Sequence, residues 1–543
     1  MAVVAFRGET YELRRHCDRR HEEMVQVRRP WLDYCKQVAQ ELICSRLPYL
    51  IDPNSGERAG EQNQHLVDSV GPRALTTAAA GIGTGTMPRS SQWLELVVRK
   101  QWEASDEERD YLAQGTRRVL TTHNQSNADS AFAPYRLELL AFGVGAALFF
   151  EDEEDVFRLQ HLTVGEYLIA EDHRGRVDTL YRDFTATVGQ LAQEFGKDRL
   201  GPTTRALYDR GQYDMQVPCR HCIEPDRWGY NTPELPWVSI YYELPSGCTE
   251  VLDVRGFTRF PALVTRWERL PGTPYAMSPG MEALPHLVRL RKMIYRYGQS
   301  MAAMAEPPLQ YPAGLSQHEV RANPGGKTPV YGNQKVETLY QVQMRLAELG
   351  EEIQRTREDI RETLGATLVA SLRSIDRQIT AREADLRTSQ DLAEWLPGLY
   401  RLTDEMLNPY VEMVWEALER IGELPDRPDS LDGKVVDIEF QSPLARKQRQ
   451  GDVDAIQKTF AIAAGVAPVK PEILDNIDFD RAIRIVGEIE GAPPDFFVSL
   501  QAMKKERVAK QQAQAAQAQM GAAQQGADLY KTIGEGQAKA PAA

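Results

Sequence analysis

Apolar residues recur along 287–304 at intervals of three and four: Leu287, Leu290, Ile294, Tyr297, Met301 and Met304. That spacing predicts a helix with a coiled-coil-like seam. A second stretch, roughly 336–366, repeats the rhythm with Leu339, Val342, Leu346, Leu349, Ile353 and Ile360 and predicts a second helix of the same kind. Between them, 307–335 carries Pro307, Pro308, Pro312, Pro324 and Pro329 with Asn323-Pro324-Gly325-Gly326, which suits a compact surface module. On pattern alone, the two helices also read as an ordinary hairpin buried in a core.

Elsewhere the chain is mostly helical with a β-rich insertion, an α+β class. Met24, Val27, Trp31, Tyr34 and Val38 place an amphipathic helix or helix pair within about 10–48. A polar loop at 52–64 precedes an alanine-rich helix, and Gly81-Ile82-Gly83-Thr84-Gly85 reads as a glycine-rich bend between helices. Helical pattern resumes through 98–141. Near 142 the composition shifts, and short strands are predicted at 157–162, 167–170, 177–181, 214–218 and 237–243. A long helical pattern at 381–422, broken at Pro397 and Pro409, leads to a strand at 435–440 and helices at 449–465 and 478–491. The last forty residues are Gln/Ala-rich and cannot build a core.

Composition narrows the function classes. With 42% hydrophobic and 26% charged residues, the 543-residue chain can bury several cores. The start is polar and arginine-rich, so no secretory signal is expected. The longest apolar run, Leu139–Phe150, is too short to span a bilayer, and no membrane partner is expected. Six cysteines make no disulfide framework and point to folding in a reducing cytoplasm. A net charge of −14 and a pI near 5.3 argue against a high-affinity DNA binder without excluding DNA as a passenger.

The candidate chemistry is weak. Gly81–Thr86 lacks both the third glycine of a dinucleotide loop and the lysine of a phosphate loop. Cys219-Arg220-His221-Cys222 has the spacing of half a zinc site without the other half, and thiols packed in a strand are the simpler reading. The acidic run at 151–155 lacks the cadence of a calcium loop and reads as a solvated turn. No Ser, His and Asp carry catalytic flanks, so no enzymatic activity, cofactor or metal is expected.

Several short motifs fall in one order over about 400 residues. They include Asp68-Ser69, Pro88 before Trp93, Phe142-Gly143-Val144-Gly145-Ala146-Ala147-Leu148, and the segment from Val164-Gly165-Glu166-Tyr167 to Glu194-Phe195-Gly196. Phe260-Pro261, Arg266-Trp267 and Tyr275-Ala276-Met277-Ser278-Pro279-Gly280 come before the first patterned helix, and Pro307-Pro308-Leu309 follows it. Thr380-Ala381-Arg382-Glu383-Ala384 and Glu405-Met406-Leu407-Asn408-Pro409 complete the series. Together they resemble the head-to-tail connector (portal) family of short-tailed bacteriophages. Tyr275-Ala276 departs from a common Tyr-Gly, and the C-terminal tail matches only in composition.

The resemblance implies a portal fold assembled as a twelve-subunit ring at one capsid vertex, the head–tail junction of a virion put together in the host cytoplasm. It divides the chain into a wing (1–277, β-rich at about 142–260), a first stem helix (278–306), a clip (307–335) and a second stem helix (336–366). A tunnel loop (367–379), a wing return helix and strand (380–442), a crown (443–503) and a low-complexity tail (504–543) follow. Implied partners are double-stranded DNA in transit, the large terminase motor, tail adaptor and nozzle proteins, and major capsid and scaffolding proteins. Leu287, Leu290, Ile294, Leu346, Leu349 and Ile353 become candidates for a seam between subunits, and Gln317, His318 and Arg321 for motor or adaptor docking. Ser371, Arg373, Ser374 and Arg377 lie where the family places its tunnel loop; they contact DNA phosphates, or the arginines pair with Asp376 or Glu383 on a solvated helix. The second helix carries more acidic than basic residues, a wall that a ring would multiply. A coiled-coil scaffold or tail component, or a packaging-associated metal-dependent nuclease, are the alternative readings; the first needs heptads beyond two short helices, the second a carboxylate cluster.

Overall fold

A computed structural model of the chain describes residues 2–3, 10–51, 66–99, 105–310, 335–338, 346–366, 394–466 and 477–490, a few single positions besides, with short gaps at 90, 153, within 228–233, 245–250, 306–308 and 442. These residues fall into two units, 1–89 with 115–425 and 90–114 with 426–543.

The helices are α1 (Thr10–Leu42), α2 (Leu47–Ile51), α3 (Val70–Thr86), α4 (Asp106–Gln125) and α5 (Ala128–Phe142). Within the β-rich section lie α6 (Val188–Phe195) and α7 (Pro202–Asp209), and after it come α8 (Pro279–Ala305), α9 (Leu346–Thr363), α10 (Asn408–Arg420), α11 (Pro443–Val466) and α12 (Phe479–Glu490). The stretch 394–402 is also helical and joins α10 through a π-helical turn, Thr403–Leu407.

In the first unit, six antiparallel strands form one sheet. They are β1 (Ala2–Val3), β5 (Tyr167–Glu171), β6 (Val177–Thr187), β7 (Gln216–Pro225), β8 (Trp237–Glu243) and β9 (Asp253–Phe257), in the order β1-β9-β8-β7-β6-β5. The amphipathic stripe of α1 closes one face, with Leu13, Cys17 and Met24 against Tyr181, Cys222, Val238, Ile240 and Tyr242. Helix α6 closes the other, with Val188, Leu191 and Phe195 against Val217, Cys219, Tyr241 and Leu252. Successive strand residues point to opposite faces, so Cys219 and Cys222 sit on opposite sides of the sheet and cannot grip one metal ion. The thiols pack, as expected for a strand.

A second sheet orders β10 (Ala262–Arg266), β3 (Val144–Asp152) and β4 (Val156–Leu162), and two pairs are shorter: β11 (Glu268–Arg269) with β12 (Ala276–Met277), and β13 (Leu309–Gln310) with β14 (Glu337–Thr338). The acidic run is the β3–β4 turn, in which Asp152 Oδ1 accepts from the backbone of Glu154 and Asp155. Ala276 keeps a negative φ, so its departure from Tyr-Gly costs no backbone strain; its carbonyl accepts from Trp31 Nε1 at 3.1 Å.

Three expectations need correction. Gly81–Gly85 is no bend: α3 runs through it without a break. A Cβ on Gly83 would lie 2.7 Å from the Arg136 guanidinium, so the helix cost of glycine, about 1 kcal/mol each, is offset by close packing of α3 on α5. The second patterned helix does not reach back to 336, because Glu337 and Thr338 pair with Gln310 and Leu309 as strand; among the described residues it runs over Leu346–Thr363. Val98, where pattern places the start of a helical region, instead ends a strand, β2 (Leu94–Val98).

The second unit is built around β2 paired antiparallel with β15 (Val436–Phe440). Leu94, Leu96 and Val98 turn one face inward, and Trp93 stacks on Phe440. Glu108 in the first turn of α4 is buried and accepts from Lys434 Nζ at 2.7 and 2.9 Å, a buried carboxylate held by a half-buried ammonium. Phe460 of α11 stacks on Phe479 of α12 at 5.1 Å.

Buried ionisable groups staple the first unit. Glu138 of α5 accepts from the Val164 backbone at 2.8 Å and lies 2.7 Å from Arg46 Nε; burial pushes its carboxyl up to about 7 despite that cation. His161 beside it is driven by burial down to about 4. On the sheet, burial alone would raise Asp183, but His21 and Arg220, at 3.1 and 2.6 Å, hold it at about 2.

Candidate functional site: the hairpin of two long helices

Helices α8 and α9 pack on one another within a single chain, α8 also against α1 and α5, and α9 against α3. Their apolar stripes meet at the base. Leu284, Leu287 and Leu290 of α8 are buried, as are Ile353 and Ile360 of α9 and Leu364 just past its end. Gly71 of α3 lets this base close, since a Cβ there would stand 2.7 Å from Leu287 and 2.9 Å from Leu42.

Burial then fades toward the far end of α8. Leu290 is 2% exposed, Ile294 and Tyr297 are half-buried, and Met301 and Met304 are 46% and 48% exposed. Leu287, Leu290 and Ile353, candidates for a seam between subunits, are buried within the single chain, as an ordinary hairpin would bury them. Ile294 and Leu349 are half-buried, and the side chain of Leu346 lies outside the described residues. Among the described residues, the outer part of the seam, Met301 and Met304, stays exposed.

Polar side chains fix the hairpin's register. Arg289 pairs with Glu352, His286 Nδ1 stands 4.0 Å from Asp359, Arg291 meets Glu41 at 2.5 Å, and Arg357 meets Asp68 at 2.8 Å. Arg357 is thus drawn away from the outer surface. The opposite face of α9 carries Glu351, Arg355, Glu358 and Glu362, all exposed and spaced by four, three and four on one helical stripe. Three carboxylates against one guanidinium make it an acidic strip, with Glu358 and Glu362 repelling one another at i, i+4. Chemically such a strip can repel phosphate; it offers neither nucleophile nor paired acid and base.

Leu309↔Thr338 and Gln310↔Glu337 pair as a two-stranded ladder. Gln317, His318 and Arg321 lie outside the described residues, as do Ser371, Arg373, Ser374 and Arg377. The two flanks of 367–393 do meet, in an aromatic cluster that pattern reading missed. Gly365 adopts φ +70°, and a Cβ there would collide with Trp395 at 2.1 Å. Trp395 packs edge-on against Trp267 with centroids 5.0 Å apart, and Gly398 lies under Trp267. The available signal was Gly365 just before the segment and Trp395 with Gly398 just after it.

Among the described residues, no helix is long and apolar enough to cross a membrane, and no group of three His, Cys, Asp or Glu could hold a metal ion.

The family model described as bacteriophage head to tail connecting protein matches residues 14–498. The chain is 32% identical over 499 residues to a probable portal protein of Bordetella phage BPP-1, covering 90% of this chain and 89% of that one. It is 31% identical over 504 residues to a portal protein of Salmonella phage epsilon15, again covering 90% and 89%. Among solved structures, a chain of the virion of a native gene transfer agent particle is 12% identical, covered to 86% by 72% of this chain, with a TM-score of 0.33, too low to carry an argument. On the strength of the sequence match, which runs nearly end to end, the chain belongs to the bacteriophage head-to-tail connecting proteins, the portal family, which is structural rather than enzymatic.

Proposed function

We propose that the chain forms a twelve-subunit ring at one capsid vertex, through which double-stranded DNA is packaged and ejected. The observation that carries this reading is the family match over residues 14–498. The hairpin supports it: the acidic stripe of α9 would supply the weakly repelling wall of the channel, and the open outer seam of α8, Met301 and Met304 included, would be covered by a neighbouring copy. The clip, with Gln317, His318 and Arg321, would dock the terminase motor and later the tail adaptor and nozzle; the wing would meet capsid and scaffolding proteins; the crown would face the interior. Purified protein tests it directly. Light scattering and negative-stain images are expected to give rings with a central hole; compact single chains or rods overturn the reading.

Arg373 and Arg377, in the segment between the clamped ends at Gly365 and Trp395, are the residues assigned to DNA phosphate. Arg373→Ala with Arg377→Ala is expected to leave rings normal while DNA is packaged incompletely or held poorly, whatever its sequence. Wild-type packaging and retention by the double variant would leave only the pairing with Asp376 or Glu383.

A further inference from the structure

We propose that the outer edge of β15 pairs with a strand of a second copy of this chain, an inference that rests on the ring reading. The ladder between β2 and β15 shows which backbone groups are free. Arg99 N donates to Val435 O and Gln441 N donates to Trp93 O, both at 2.9 Å. With Ile438 opposite Leu96, the residues that exchange hydrogen bonds across this antiparallel pair are therefore 435, 437, 439 and 441. Val436, Ile438 and Phe440 turn their N–H and C=O groups the other way, along an edge that no described strand pairs.

Three features make that edge a docking strand rather than a guarded one. It has no proline, lysine or bulge, the usual protections of an exposed edge. Asp437 is paired at home, bonding Arg99 at 2.9 and 3.0 Å, which lessens its repulsion of an incoming strand. Val435 and Val436 are 51% and 39% exposed, leaving apolar surface beside the free backbone groups. A two-stranded sheet is marginal alone, and a third strand completes it.

The symmetry of a ring fixes the kind of pairing. Two β15 edges meeting each other would be isologous and close at a dimer. A ring needs a heterologous contact, in which β15 of one copy meets a different strand of the next. Every copy then offers one edge and fills another, and none is left open to aggregate.

The ladder also supplies the test. Ile438→Pro removes an outward N–H, and its ring points away from β2, the one placement an edge strand tolerates. Asp437→Pro removes an inward N–H and serves as the contrast, breaking the pairing with Val97. The expected result is that Ile438→Pro keeps the far-UV spectrum and urea midpoint of the dissociated wild type but yields at least tenfold fewer rings by light scattering, whereas Asp437→Pro lowers the midpoint itself. In wild-type rings, the amides of Val436, Ile438 and Phe440 are expected to exchange hydrogen at least tenfold more slowly than in dissociated chains. That second readout decides the matter should Ile438→Pro fail to fold. Rings formed normally by Ile438→Pro, or equal exchange in the two states, overturn this inference alone. A wild type that never assembles overturns the ring reading and this inference with it.

Discussion

Ile353→Asp is expected to be the most damaging single change in the hairpin. Ile353 is 6% exposed at the base of the seam shared by α8 and α9. The substitution gives up about 1.5–3 kcal/mol of apolar burial and adds the cost of an unpaired buried carboxylate, together on the order of 5 kcal/mol. The urea midpoint of the dissociated chain should fall accordingly. Leu349→Asp, one turn away and half-buried, separates folding from assembly: the single chain should fold with a small loss while ring formation is strongly impaired. Normal rings from Leu349→Asp would remove that residue from any contact between copies, and an unchanged midpoint for Ile353→Asp would contradict the intramolecular seam.

The second large effect is expected at Arg266. Its guanidinium is 1% exposed, bonds Glu171 and the Gly175 carbonyl at 2.8 Å each, and pairs with Glu405 of the π-helical turn, whose other oxygen accepts from the Arg266 backbone at 2.8 Å. One side chain thus ties β10 to β5 and to the helix that follows residues 367–393. Arg266→Met preserves much of the volume but takes the buried guanidinium from two carboxylates, of which Glu171 keeps Arg269 and Glu405 keeps the backbone N–H of residue 266, a loss on the order of 3 kcal/mol. Glu171→Gln should cost less, because Arg266 keeps Glu405 and Gly175. Urea titration of the two variants checks the order; a loss below about 1 kcal/mol for Arg266→Met would show that solvent screens the site more than its burial implies.

Legibility in the sequence followed the range of the interaction. The stripe of α1 was readable because every 3.6 residues return to one face, and Met24, Trp31 and Val38 are buried where the period puts them, while Val27 stays 51% exposed at its margin. Strands with alternating or apolar runs, such as β4, β5 and β8, were readable for the same kind of reason. Local propensity misled at Gly81–Gly85, where contact with Arg136 more than fifty residues away decides for helix, and at Glu337, which becomes strand because Gln310 lies opposite.

The candidate site divides in the same way. The sequence by itself determined that two helices carry apolar seams, that the second is acid-rich, and, through ordered motifs along most of its length, which family the chain belongs to. A helical repeat sets which residues share a face, and charge is a property of composition. Only the tertiary structure decided what each face meets. It turned the base of the seam inward, drew Arg357 to Asp68 and left the outer α9 stripe acidic, brought Gly365 against Trp395, and oriented the free groups of β15 away from β2. Those partners lie from about thirty to more than three hundred residues apart along the chain, a distance over which no local period carries information.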